Sequence, residues 1–203
     1  MRPSLFTTNQ QIILASSSPR RIHFLQELGL NFTSQAAVID EIPLANEAAD
    51  TFAKRMAVNK ARSLGHHHAG AFIIGADTII AMDGEIIGKP ENDIQALKTL
   101  QKLRGRSHMV LTGLCLHCRK KSLTSAIVKA TTISFGSFSD TLLKAYIQTG
   151  EPLDKAGAYG LQGKGGFLIE KINGSCSNAI GLPMNELVRL LLFHKVITPR
   201  INQ

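Results

Sequence analysis

Apolar positions along this chain follow two periods. Ile12-Ile13-Leu14-Ala15 is an unbroken apolar run and predicts a buried strand. Phe24, Leu25 and Leu28 then recur at helical spacing, and Gly29 closes that helix. Asn31 to Ile39 reads as a second strand ending at Asp40-Glu41. From Glu47 to Leu64 the stripe Ala49, Phe52, Ala53, Met56, Ala57, Lys60, Ala61 and Leu64 predicts a long helix. Phe72 to Ala81 is a nearly continuous strand-type run, broken by Asp77. Asp83-Gly84 marks a hairpin turn, Glu85 to Gly88 returns, and Lys89-Pro90 ends the return strand. Asn92 to Leu103 predicts a helix with Ile94, Leu97 and Leu100 inward and Gly105 at its end.

Ser107–Cys118 and Ser122–Phe135 form a predicted hairpin of longer strands, with Arg119-Lys120-Lys121 at a solvated tip. Ser139-Asp140 starts a helix through Ile147, closed by Gly150. Glu151 to Gly166 holds five glycines and reads as a functional loop. Phe167 to Ile172 is a strand, Asn173-Gly174 a turn, and a last helix carries Leu187, Leu190 and Leu191. The polar tail after His194 is expected to fray. These elements predict an α/β or α+β fold with mixed strands, in two lobes around a cleft.

Composition narrows the classes. The 203 residues suffice for one sizeable domain or two fused lobes, and 44% hydrophobic residues supply a core. Charged residues at 19% argue against a disordered or coiled-coil chain. No run of 18 apolar residues occurs, and Met1 to Phe6 lacks a secretory h-region. Cys115 and Cys118 lie three apart on a predicted strand, so they face opposite ways and suit neither a disulfide nor shared zinc. The odd cysteine count points to a reducing cytoplasm. A net charge of +8 raises a nucleic-acid-binding module as a rival reading, with salt-dependent binding as its signature. The cations are scattered, and 5% aromatics is thin for a stacking platform.

The chemistry-bearing residues sit where ordinary patterning fails. Ser16-Ser17-Ser18-Pro19-Arg20-Arg21 joins a strand to a helix, with Ser18 as N-cap and Pro19 in the first turn. Free helix N–H groups, hydroxyls and two guanidinium forks make a site for a phosphate chain. Arginines there oppose the macrodipole unless a bound anion neutralises them. Lys60 lies on an apolar stripe, where lysine requires a reason, and a stem that snorkels out of the helix end is the bland one. Asp77 inside a buried strand needs a cation, a metal or hydrogen bonds, and an ion pair with Lys89 is one bland solution. His66-His67-His68 follows a helix end and reads as a solvated loop. Neither G-x-x-x-x-G-K-[ST], G-x-G-x-x-G nor G-x-S-x-G is present, which excludes P-loop, dinucleotide-binding and serine-hydrolase sites of those types. Cations, carboxylates and a glycine-rich loop suit phosphoanhydride hydrolysis.

Five separated motifs carry a resemblance. They are Leu14–Arg21, Gly75-Ala76-Asp77-Thr78, Gly88-Lys89-Pro90, Gly150–Gly163 and Asn178–Pro183. In this order they resemble the Maf family of nucleoside triphosphate pyrophosphatases, named for their link to septum formation, over nearly the whole chain. The resemblance implies one Maf-like domain over residues 1–203, of α/β mixed-sheet, Maf/ITPase-like two-lobed architecture with a central nucleotide cleft. It implies cleavage of a nucleoside triphosphate to monophosphate and pyrophosphate, a divalent metal (Mg²⁺ or Mn²⁺), a cytoplasmic location and, in many members, a homodimer. No membrane or stable nucleic-acid partner follows from it.

The implied roles are specific. Asp77 accepts the proton of the attacking water, and Arg21, Glu41, Lys60, Lys89 and Gln162 matter for activity. Glu41 and Asp77 approach the metal, while Lys60 and Lys89 stabilise developing charge. Ser16, Ser18, Arg20 and Arg21 hold the phosphates, and Arg20, Thr78 and Gln162 set base preference. The S-P-R-R form with a glutamine in the glycine loop resembles the branch acting on dTTP and UTP. The 7-methyl-GTP branch of the family, and a nucleotide-binding regulator of septum formation without turnover, are the alternatives.

Overall fold

A computed structural model describes residues 4–201; the Met1–Pro3 part of the leader reading lies outside them. Among the described residues nine strands and six α-helices follow one another. In chain order these are β1 Phe6–Thr8, β2 Ile12–Leu14, α1 Pro19–Glu27, β3 Thr33–Ser34, α2 Ala49–Gly65, β4 Phe72–Met82, β5 Glu85–Ile87 and α3 Asp93–Leu103. Then come β6 Ser107–Cys118, β7 Leu123–Phe135, α4 Asp140–Ile147, β8 Ile169–Asn173, α5 Cys176–Ile180, α6 Met184–Phe193 and β9 Ile197–Pro199. The large sheet has the order β3-β2-β4-β6-β7-β8, with β5 on β4. Parallel pairs (β2 with β3 and β4) and antiparallel pairs (β4 with β5, β7 with β8) make it a mixed α/β sheet, as expected. The chain divides into two compact units, and β4, β6 and β7 contribute residues to both. Among the described residues no helix is long and apolar enough to cross a membrane.

The first unit comprises Met1–Asp77, Thr112–Lys129 and Gly181–Gln203. Its central strands are buried on both faces, which is why they read as unbroken apolar runs. Ile12, Leu14, Phe72 and Ile74 pack with Leu25 of α1 and with Leu187 and Leu191 of α6. Ile13, Ala15 and Ile73 point the other way, to Ala57, Ala61 and Leu64 of α2. Gly75 continues that second row. A Cβ there would lie 2.2 Å from the Ala57 carbonyl oxygen, so only glycine lets α2 approach this closely. Two expectations fail in this unit. The strand over Asn31–Ile39 shrinks to the two residues of β3, because only Thr33 and Ser34 pair with β2 and the residues beyond are largely exposed. The tail after His194 is held in place as far as Pro199: Val196 and Ile197 are buried, and β9 pairs antiparallel with β1, Phe6 opposite Pro199.

The second unit comprises Thr78–Leu111 and Ala130–Ile180. Asp83 and Gly84, at φ 55° and 81°, form the two-residue turn between β4 and β5. Its core joins Ile80 and Met82 to Leu100, Leu103, Phe135, Leu143, Ile147 and Leu168. Leu100 is buried and Leu97 packs on this core as expected, but Ile94 is 69% exposed, and Ala96 and Leu103 complete the buried face of α3. The periodicity fits either phase, and packing on β4 and α4 side chains selects the one with alanine innermost. The short helix α5, which the pattern did not announce, starts where the Ser175 hydroxyl accepts the Asn178 N–H at 3.2 Å.

Candidate functional site

The turn after β2 is organised by its first serine. Ser16 is buried, and its hydroxyl oxygen accepts the Ser18 N–H at 3.2 Å and an Arg21 guanidinium N–H at 3.3 Å. The Ser34 hydroxyl donates to the Ser16 carbonyl at 2.5 Å. Ser18 stands at the N-cap of α1, yet its side chain makes no capping bond. The start of α1 also has no acidic residue in its first turn, so its N–H groups face no carboxylate of their own helix. Arg20 is half-buried. Arg21 folds inward, and its Nε donates to the Gly181 carbonyl at 2.8 Å. Burial pushes the Arg21 guanidinium down from its ordinary value, while the nearby charge of Asp77 pulls the other way.

Lys60 is the centre of this group. Its Cα sits on the buried stripe of α2, one turn beyond Ala57, which presses on Gly75. Two residues after Gly75 on the same face of β4 comes Asp77. Lys60 Nζ lies 2.6 Å from Asp77 Oδ1 and 2.8 Å from Glu41 Oε1. Lys60 is 8% and Asp77 6% exposed, whereas the Glu41 side chain is half-exposed. The lysine therefore does not snorkel to solvent; it lies between two carboxylates. Arg21, Ser16, Lys60, Asp77 and Glu41 thus come together in the first unit from four separate stretches of sequence. The ion-pair partner observed for Asp77 is Lys60, not the Lys89 of the bland reading, because Lys60 projects from the α2 face packed on β4 while Lys89 is exposed.

Glu41 sits on an irregular segment and not at the end of a strand. Arg55 of α2 holds the next residue, donating from Nη2 to the Ile42 carbonyl at 3.0 Å. Arg55 also grips Glu47 with a two-point fork, Nε to Oε1 at 2.6 Å and Nη2 to Oε2 at 2.5 Å. Neither Arg55 nor Glu47 stood out in the sequence. A charged pair flanking and entering a helix looks like an ordinary solvated face.

Three expected site residues belong to the second unit. Thr78 is half-buried in β4. Lys89 is exposed, just before buried Pro90. Gln162 is exposed in the glycine-rich loop. That loop is a run of short 3₁₀ turns, Glu151–Asp154, Ala156–Ala158 and Lys164–Leu168. Glu151 ties it together: its carboxylate accepts the Lys164 N–H at 2.8 Å, the Gly165 N–H at 2.9 Å and the Tyr146 hydroxyl at 3.1 Å. Burial alone would raise the Glu151 carboxyl, but these donors outweigh it and hold the group below the ordinary carboxylate range.

Among the described residues no group of three or more His, Cys, Asp and Glu is placed to hold a metal ion unaided. Glu41 and Asp77 nevertheless fit a magnesium-like ion. Both supply hard carboxylate oxygens, both reach the same ammonium, and such an ion usually takes one or two carboxylates with phosphate oxygens completing its shell. In the histidine run, His68 Nε2 meets Gln35 Oε1 at 3.0 Å and His66 Nδ1 meets Arg119 at 3.5 Å.

A family model described as Maf-like protein matches residues 11–193. The chain is 42% identical over 194 residues, 96% of its length and 100% of the relative's, to a dTTP/UTP pyrophosphatase of Desulfotalea psychrophila. It is 44% identical over 180 residues to one of Myxococcus xanthus, covering 89% of this chain and 90% of that one. It is 42% identical over 196 residues to one of Oleidesulfovibrio alaskensis, covering 96% and 90%.

Proposed function

The chain belongs to the Maf-like protein family, and on that footing we propose that it is a nucleoside triphosphate pyrophosphatase acting on dTTP and UTP. The observation that carries this reading is the meeting of Lys60 with Asp77 and Glu41 beside the half-buried Arg21. A cation held between carboxylates next to a serine-rich helix start is a place for a phosphate chain and for a water to attack it.

In this reading the Ser16–Ser18 turn, the α1 N–H groups and Arg21 hold the phosphates, with Arg20 at the edge. Asp77 accepts a proton from water as the oxygen attacks the α-phosphorus. The bond from that phosphorus to the bridging oxygen breaks, and pyrophosphate leaves with the electron pair. Lys60 orients Asp77 and offsets its charge before attack. Lys89 is assigned to charge developing on the transferring and leaving oxygens. Thr78, Gln162 and Arg20 are assigned to base preference. Glu41 and Asp77 would hold a divalent cation, which supplies neutralisation of phosphate charge when bound. We take the cytoplasm as its compartment, supported by an odd number of cysteines.

Pyrophosphate release from dTTP, UTP and 7-methyl-GTP, with Mg²⁺ and with chelator, tests this. Release from the first two in Mg²⁺ and none in chelator is expected. Release from 7-methyl-GTP alone would move the chain to the other branch. Nucleotide binding without release would leave only a regulatory role.

A further inference from the structure

From the fork between Arg55 and Glu47 we infer that Arg55 is a positioning residue for Glu41; this rests on the role proposed above for Glu41. Between β3 and α2 the chain has no helix or strand, and it exposes Val38, Ile42 and Leu44 to water. Apolar burial therefore contributes little to its shape there, and polar anchors must define it. Arg55 supplies such an anchor. Its guanidinium lies 5.4 Å from the ring of buried Phe52, which fixes its direction. From there it forks onto Glu47 and reaches the Ile42 carbonyl. Glu47 in turn accepts the Leu44 N–H at 3.0 Å and donates its own N–H to the Leu44 carbonyl at 3.1 Å. The two sides of the loop are thus drawn onto one rigid helix.

Glu41 precedes the carbonyl that Arg55 holds, and its carboxylate meets Lys60, five residues along the same helix from Arg55. One helix therefore sets both ends of the Glu41–Lys60 contact. Lysine at position 55 cannot reproduce a planar fork that grips a carboxylate at two points and a carbonyl at once. Misplacing a catalytic carboxylate by about 1 Å costs on the order of 10²-fold in rate.

The test is a double-mutant cycle on Arg55→Ala and Glu41→Gln, read as kcat/KM for pyrophosphate release, with hydrogen exchange of the segment 36–47 in the same proteins. Arg55→Ala should lower kcat/KM by about 10- to 10²-fold in the native background. In the Glu41→Gln background it should lower it less than about threefold, because the group it positions is already lost. Exchange of the 36–47 amides should rise while the helix core keeps its protection, and Arg55→Lys should recover only part of the loss. Equal losses in both backgrounds, or no loss, would overturn the inference. If the native protein released no pyrophosphate, the proposed function would fail instead. The exchange arm would then decide alone, and unchanged exchange in Arg55→Ala would refute the clamp.

Discussion

Lys60 Nζ and Asp77 Oδ1 stand 2.6 Å apart, on two residues that water barely touches. A buried ion pair of this kind adds little over apolar side chains of the same volume, but losing one partner leaves an uncompensated charge. Lys60→Met alone should therefore destabilise the fold by about 3–5 kcal/mol. Lys60→Met with Asp77→Leu should recover most of that. Urea unfolding midpoints check this; a wild-type midpoint for the single variant would contradict it.

Gly75→Ala should harm both stability and turnover. The added Cβ would press on the Ala57 carbonyl oxygen, which belongs to backbone and cannot swing away. Overpacking of this type costs typically about 1–3 kcal/mol. Pushing α2 away also lengthens the reach of Lys60 to Asp77, so kcat should fall along with the melting temperature. A variant with native Tm and native kcat would show that α2 does not depend on this approach.

His108 gives the stability curve an acid limb. Its ring is buried, its Nε2 meets the Tyr159 hydroxyl at 2.6 Å, and burial pushes its pKa down from 6.5 to about 4. Between those values the unfolded chain takes up a proton that the folded one refuses, so stability falls as pH drops from about 6.5 to about 4. Above that window His108 contributes no pH dependence. His108→Gln should flatten this part of the curve in urea titrations at stepped pH; an unchanged slope would assign the limb to other groups.

Glu151→Ala should loosen the glycine-rich loop. Three donors lose their acceptor at once, including the N–H groups of Lys164 and Gly165. The expected result is faster proteolysis within Glu151–Gly166 and weaker discrimination between dTTP and purine triphosphates. Because the native carboxyl is held low, its contribution persists above the ordinary carboxylate range and is lost as pH falls through the folded value. Unchanged cleavage and discrimination would mean the loop is held otherwise.

Much of the first unit was legible because its strands are covered on both faces and its long helix carries a clean stripe. Lys60 and Asp77 were visible as violations of those patterns, since a charge on a buried period has to be explained. Their pairing was not, because it depends on how closely α2 settles on β4, which Gly75 decides in three dimensions. The segment after β3 misleads because the β-branched pair Val38-Ile39 looks like a strand, while the sheet supplies partners for only two residues. β9 was hidden because a three-residue strand has too little period to detect, and its identity comes from pairing with β1 across almost the whole chain. The Arg55–Glu47 fork belongs to the same class: two common residues whose meaning lies in what they hold.

The most direct measurement is the product analysis of dTTP turnover by the native protein and by Asp77→Asn, with thermal unfolding recorded for both. The account predicts dTMP and pyrophosphate from the native protein. It predicts a fall of ~10²–10³ or more in the variant, which still unfolds cooperatively. Near-native pyrophosphate release by folded Asp77→Asn would contradict it.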